Sequence, residues 1–209
     1  MINTSEPNCF YDNFCNECEK AYLTHKELSK QLGISIYTIN NWKYNNKMYP
    51  NISVLRTLSD YFDVSMEYLL TGIHTFEDVT VLNLWNHLTK KQKDRIIDVM
   101  TVFFTKDSTQ HDNSFFGRFF QLLDWKKISR DDFADSIGIT KHTIAAWATK
   151  KDIVPDSDIV LKIARFFKVT MLYLLDGVKT VSDFPYEKWL QLTDRQQDTI
   201  KDVMSTFID

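Results

Sequence analysis

Apolar residues along this chain recur three and four positions apart, and no stretch alternates apolar with polar residues cleanly enough to make a strand. The pattern predicts an all-α fold. In the first half it places helices at about 9 to 21, 25 to 32, 36 to 45, 53 to 62, 66 to 71, 76 to 87 and 90 to 104. Short oxygen-bearing side chains mark several starts: Thr24 and Ser129 before the second helix of each half, Ser35 and Thr140 before the third. Thr89 with Gln92, and Thr193 with Gln196, have the spacing of capping boxes for the last helices.

The pattern occurs twice. An offset of 105 sets Gly33 on Gly138, Ile39 on Ile144, Trp42 on Trp147, Pro50 on Pro155, Phe62 on Phe167, Val64 on Val169 and Met66 on Met171. The same offset lays Tyr68, Leu69 and Leu70 on Tyr173, Leu174 and Leu175, and Gly72 on Gly177. Past Gly72 the offset falls to 104, and WNHLTKKQKDRIIDVM from Trp85 overlays WLQLTDRQQDTIKDVM from Trp189. One unit has been duplicated with a single length change. Between the copies TKDSTQHDNS is polar and aperiodic, a solvated connector. The organisation read from this is a first domain over residues 1–104, a linker at 105–114 and a second domain over residues 115–209.

Within each copy a short helix, a glycine and a capped third helix follow in order, the sequence form of a helix-turn-helix. The glycine supplies a positive-φ corner that lets two helices cross steeply. Leu28 and Leu32 face inward from the second helix, and Ile39 and Trp42, three apart, face inward from the third. The opposite face is left free: Ile36, Tyr37, Asn40 and Asn41 in the first copy, Lys141, His142, Ala145 and Ala146 in the second.

With these positions in this order, residues 10–73 and 115–178 resemble the lambda-repressor-like DNA-binding fold of the Xre/Cro family. The resemblance implies two tandem five-helix domains, each followed here by extra C-terminal helices. It further implies a third helix lying in the major groove and a second helix whose first turn meets a phosphate. Carried over by position, it makes Ile36, Tyr37 and Asn41, and Lys141, His142 and Ala146, base-facing. His25 and Arg130 take the phosphate-facing place, and Lys43, Lys47, Lys150 and Lys151 follow the third helices, where further phosphate contacts fall. An asparagine pairs bidentately with adenine and a lysine reaches guanine acceptors, whereas Ile36, Ala145 and Ala146 offer apolar contact such as a thymine methyl. Neither third helix carries an arginine.

Composition adjusts this picture in a few places. A formal charge of -3 argues against a uniformly basic coat but leaves room for a local positive patch. No apolar run approaches the ~18 residues of a membrane span, and MINTSEPNCF has no basic or apolar signal region, so a soluble, cytoplasmic protein is expected. Three cysteines make no disulfide framework. Cys9, Cys15, Cys18 and His25 could ligate zinc, but Cys15 and Cys18 overlay Phe120 and Leu123 of the second copy and read as core filling. Phe115, Phe116, Phe119 and Phe120, like Trp85 and Trp189, have core spacing, and the KKQK run at 90 to 93 reads as a solvated face.

The last helices are less self-sufficient. Ile96, Val99, Met100 and Phe103, and Ile200, Val203, Met204 and Phe207, form stripes that pack on their own domain, pair within the chain, or pair between chains as a homodimer.

The function expected is a transcriptional regulator, a repressor that competes with polymerase. It would read double-stranded DNA at an imperfect palindrome with two recognition helices about 34 Å apart. The rival is a protein-interaction module, an inhibitor or co-regulator of another DNA-binding protein, in which one or both copies no longer read DNA. No glycine-rich phosphate loop, nucleophile elbow or metalloprotease motif occurs, and Asp131 and Asp132 sit where a helix N-terminus favours negative charge. The chain is read as non-enzymatic, with no cofactor or metal.

Overall fold

A computed structural model describes residues 9–44, 48–73, 79–103, 113–149, 154–177 and 183–208. Among the described residues there are fourteen α-helices and no strand. The first repeat forms α1 (Phe10–Lys20), α2 (His25–Leu32), α3 (Ile36–Tyr44), α4 (Ile52–Phe62), α5 (Met66–Thr71), α6 (Val79–His87) and α7 (Lys90–Val102). The second forms α8 (Phe115–Lys126), α9 (Arg130–Ile137), α10 (Lys141–Thr149), α11 (Ser157–Phe167), α12 (Met171–Asp176), α13 (Tyr186–Gln191) and α14 (Asp194–Ser205).

The capped starts fall where their side chains predict. Thr24 Oγ1 accepts from Glu27 N and the Glu27 carboxylate accepts from Thr24 N, while Ser129 accepts from Asp132 N at 3.1 Å. Ser35 accepts from Tyr37 N and Thr140 from Thr143 N, each at 3.2 Å. Thr89 N and Thr193 N each donate to the glutamine three residues on, at 2.8 Å. One boundary differs. The repeat offset carries α6 onto a helix beginning near 180, but residues 183–185 are not helical and α13 starts at Tyr186. Pro185 is the cause: its ring disfavours helical backbone at Phe184 while its own fixed φ of -76° suits the entry to a helix.

Contacts gather the chain into two compact units, one of Met1–Phe76, Pro155–Arg165 and Val169–Met171, the other of Glu77–Val154, Phe166–Lys168 and Leu172–Asp209. In the first unit α1 and α4 pack on α5, and α2 on α3. Trp42 is wedged edge-on against Phe10 at 5.1 Å and Phe14 at 5.5 Å, a geometry that suits the aromatic quadrupoles. Residues of the second repeat complete this unit: Ser157 Oγ donates to Pro50 O at 2.6 Å, and the buried Glu67 carboxylate accepts from Met171 N.

In the second unit Phe119 meets Phe133 at 5.0 Å and Trp147 at 5.6 Å. Phe115, Phe116 and Phe119 are buried, as are Trp85 and Trp189. The last helices pack within the chain here, α14 against α6 and α7, and α13 against α7 and α8. Ile96, Met100, Ile200 and Met204 are fully buried, whereas Val99 remains exposed. Gln92 Nε2 donates to Phe207 O at 3.2 Å and Lys188 Nζ to Thr101 Oγ1 at 2.9 Å. Lys93, from the lysine run, is not a solvated charge: it pairs with Asp183 at 2.6 Å and lies 5.2 Å over the Trp85 ring. Among the described residues no helix is long and apolar enough to cross a membrane.

A polar device recurs in both repeats. Asn13 Nδ2 donates to Tyr68 O at 3.1 Å and Leu69 O at 3.3 Å, closing the C-terminal carbonyls of α5. At the equivalent position Arg118, only 8% exposed, donates to Leu174 O at 2.8 Å and Leu175 O at 2.5 Å at the end of α12, and to Asn113 O. A helix C-terminus leaves its last carbonyls unpartnered, and a buried donor answers that need.

Candidate nucleic-acid interface

The first candidate face is built on the turn between α2 and α3. Gly33 sits there at φ +67°, a left-handed conformation that reverses the chain without strain only for glycine. The turn brings α3 across α2 with Ile39 and Trp42 buried beneath it. Trp42 is 2% exposed, so the helix is anchored from below. Above it Ile36 is 42% and Tyr37 71% exposed, Asn40 and Lys43 are exposed, and Asn41 is half-buried. The Asn40 and Asn41 side-chain amides make no hydrogen bond among the described residues, and an amide in that state offers a donor and an acceptor together. Tyr44, exposed, lies under Lys43 Nζ at 5.8 Å.

His25, at the start of α2, is half-buried. Its ring stands 5.2 Å from Phe14 and 6.0 Å from Tyr11, and Nε2 lies 3.7 Å from Cys15 Sγ. Burial and, after it, the charge of Lys43 lower its pKa from the ordinary value. Burial raises the neighbouring Cys15 thiol and pushes Cys18 up to about 12; Cys18 is a buried core residue, whereas Cys15 is half-buried. Among the described residues no group of three or more His, Cys, Asp or Glu is placed to hold a metal ion.

The second face repeats the frame with different chemistry. Gly138 has φ +71°, Ile144 and Trp147 are buried, and Lys141, His142 and Ala145 are exposed with Ala146 half-buried. Arg130 stacks its guanidinium 4.6 Å over the Phe120 ring, which gives Phe120 a surface task that its core spacing did not announce. Lys141 is already engaged: its Nζ lies 2.7 Å from Asp131 Oδ2, the two side chains 58% and 59% exposed. The hydrogen bond to Asp131 and the charges of Asp131, Asp135 and Asp132 hold its pKa above the ordinary lysine value. The sequence reading missed this pair, treating Asp131 as a helix-terminal charge. Lys47, Lys150 and Lys151 lie outside the described residues.

Each face is thus a short helix held from beneath by an isoleucine and a tryptophan, presented by a glycine corner, with its outward side chains in solvent. That is a helix-turn-helix, present twice. Comparison with protein families agrees: the model of the helix-turn-helix domain matches residues 19–74 and again 118–179, together more than half of the chain. The chain belongs to this family, whose fold is a non-catalytic, DNA-binding one. No curated protein and no solved structure matches the chain closely enough to name a relative.

Proposed function

We propose that the chain is a sequence-specific DNA-binding transcriptional regulator, a repressor that excludes polymerase by occupying its site. The observation that supports this best is the solvent-facing row on α3, with Tyr37 71% exposed and the Asn40 and Asn41 amides uncommitted above a rigid buried base. Asparagine takes adenine bidentately through N6 and N7, worth about 1–3 kcal/mol of discrimination, and Ile36 suits a thymine methyl. His25 and Lys43 flank the row as phosphate partners, with Lys47 beyond them. In the second copy Lys141, His142 and Ala146 face the bases, and Arg130, Lys150 and Lys151 the phosphates. Because the two rows differ, the site is a pseudo-palindrome with unlike halves, read by the two modules joined through residues 105–114.

A second reading, in which a copy docks a protein instead of duplex, is favoured at one place: the second face, where Asp131 occupies Lys141. Electrophoretic shift of a labelled genomic fragment pool at ~100 mM salt tests the DNA reading, since specific complexes of this kind have dissociation constants of about 10⁻⁸–10⁻¹¹ M. A band that survives excess competitor supports it; complete loss to competitor favours the protein-docking reading.

A further inference from the structure

The two faces differ most at the positions beside the start of the reading helix. In the second copy the Asp131–Lys141 pair places position 131 against the first residue of α10, and Asp132 and Asp135 add their charge there. Asp132 is partly occupied in capping, where Ser129 Oγ donates to it at 2.6 Å, just as Glu27 serves Thr24 in the first copy. The remaining two carboxylates have no such task in common with the first copy. The repeat offset sets Asp131 on Lys26 and Asp135 on Lys30, so both charges are inverted between the copies. Lys26 and Lys30 are exposed on α2, which packs on α3 as α9 packs on α10, and make no ion pair among the described residues.

Duplex DNA carries one negative charge per about 1.7 Å of axis, so each ammonium at such a position adds a phosphate contact and each carboxylate opposes one. An ion pair as exposed as Asp131–Lys141 adds little to fold stability. Its effect falls instead on what approaches the face: a phosphate must first displace Asp131, against the field of Asp135.

Resting on the DNA reading above, we infer that the first helix-turn-helix carries the affinity for DNA, and that Asp131 and Asp135 hold the second face back from phosphate. The unlike halves of the site are then unequal in energy. The first half anchors the chain, and the second is read only weakly once the first is bound. Lys26 and Lys30 join Lys43 as affinity determinants, although the family-based transfer did not single them out.

The test compares the full chain with K26D/K30D and D131K/D135K, all at exposed positions, by fluorescence anisotropy on a labelled mixed-sequence duplex about three helical turns long. The salt series covers about 50 to 200 mM, and circular dichroism verifies each fold. K26D/K30D is expected to lose about a hundredfold in affinity. D131K/D135K should gain at least about tenfold, with the slope of log K against log salt steepening by about 0.9 for each new phosphate contact. Binding by K26D/K30D as tight as that of wild type overturns the assignment, as does D131K/D135K with unchanged affinity and slope. Absence of binding by every protein overturns the DNA reading itself, and this inference with it.

Discussion

Replacing Arg118 with methionine tests how the second repeat holds α12. Methionine fills much of the same volume but donates nothing, so the carbonyls of Leu174 and Leu175, now bonded at 2.8 and 2.5 Å, lose their partner in a site where Arg118 is 8% exposed. A buried acceptor stripped of its donor costs about 1–3 kcal/mol, so two such groups put the loss at about 3 kcal/mol. Asn13→Ala is the internal comparison. It removes one neutral amide shared between two carbonyls at 3.1 and 3.3 Å, and should cost about 1 kcal/mol. In urea, followed by tryptophan fluorescence, a slope of about 2 kcal/mol/M turns these into midpoint shifts of about 1.5 M and 0.5 M. An Arg118→Met shift no larger than that of Asn13→Ala would refute the idea that α12 is held through its carbonyl end.

Gly33→Ala and Gly138→Ala test the corners. An added Cβ meets nothing within 4 Å at either site, so the cost is the left-handed backbone alone, about 1 kcal/mol, read calorimetrically as about 2–4 °C in Tm. Asp183 accepts from Lys93 at 2.6 Å and Trp85 at 3.1 Å, and these bonds hold its carboxyl below the usual carboxylate range. Its stabilisation is therefore present above the unfolded-state value near 3.9 and lost as pH falls through the lower folded value. Asp183→Asn should melt earlier than wild type at pH 7 and together with it in strong acid; a pH-independent difference would refute the ion pair. The lowered pKa of His25 predicts an NMR titration midpoint below the reference value of about 6.5. Below that reference the unfolded chain takes the proton first, so stability falls with pH until the folded value is passed, and a midpoint above the reference would contradict the buried ring.

Much of the fold was legible because it is local. A helix with one buried stripe, a threonine or serine at its start and a glycine at its end writes all three into consecutive residues, and α2 and α9 appear where those signals stand. The late start of α13 was legible too, in Phe184 before Pro185, but copying α6 across the repeat overrode it. Contacts between distant segments were not. Nothing in the periodicity of α5 says that Glu67 will meet Met171 N, or that Asn13 and Arg118 will close carbonyls 55 and 56 residues away. The outward rows on the third helices followed from the inward Ile-Trp pairs. Lys141's partner did not, because Asp131 lies ten residues back across a turn, although the charge inversion at that position was visible in the aligned repeats.

The central claim is that α3 reads base edges from a row presented to solvent. The direct test selects binding sites from a randomised duplex pool with the full chain, then measures wild type and Asn41→Asp on the winning duplex and on competitor DNA. The account predicts an enriched site containing adenine, bound about ten- to hundredfold less tightly by Asn41→Asp, with weaker discrimination over competitor. A pool that yields no enriched sequence, or a site that Asn41→Asp binds as tightly as wild type, would contradict it.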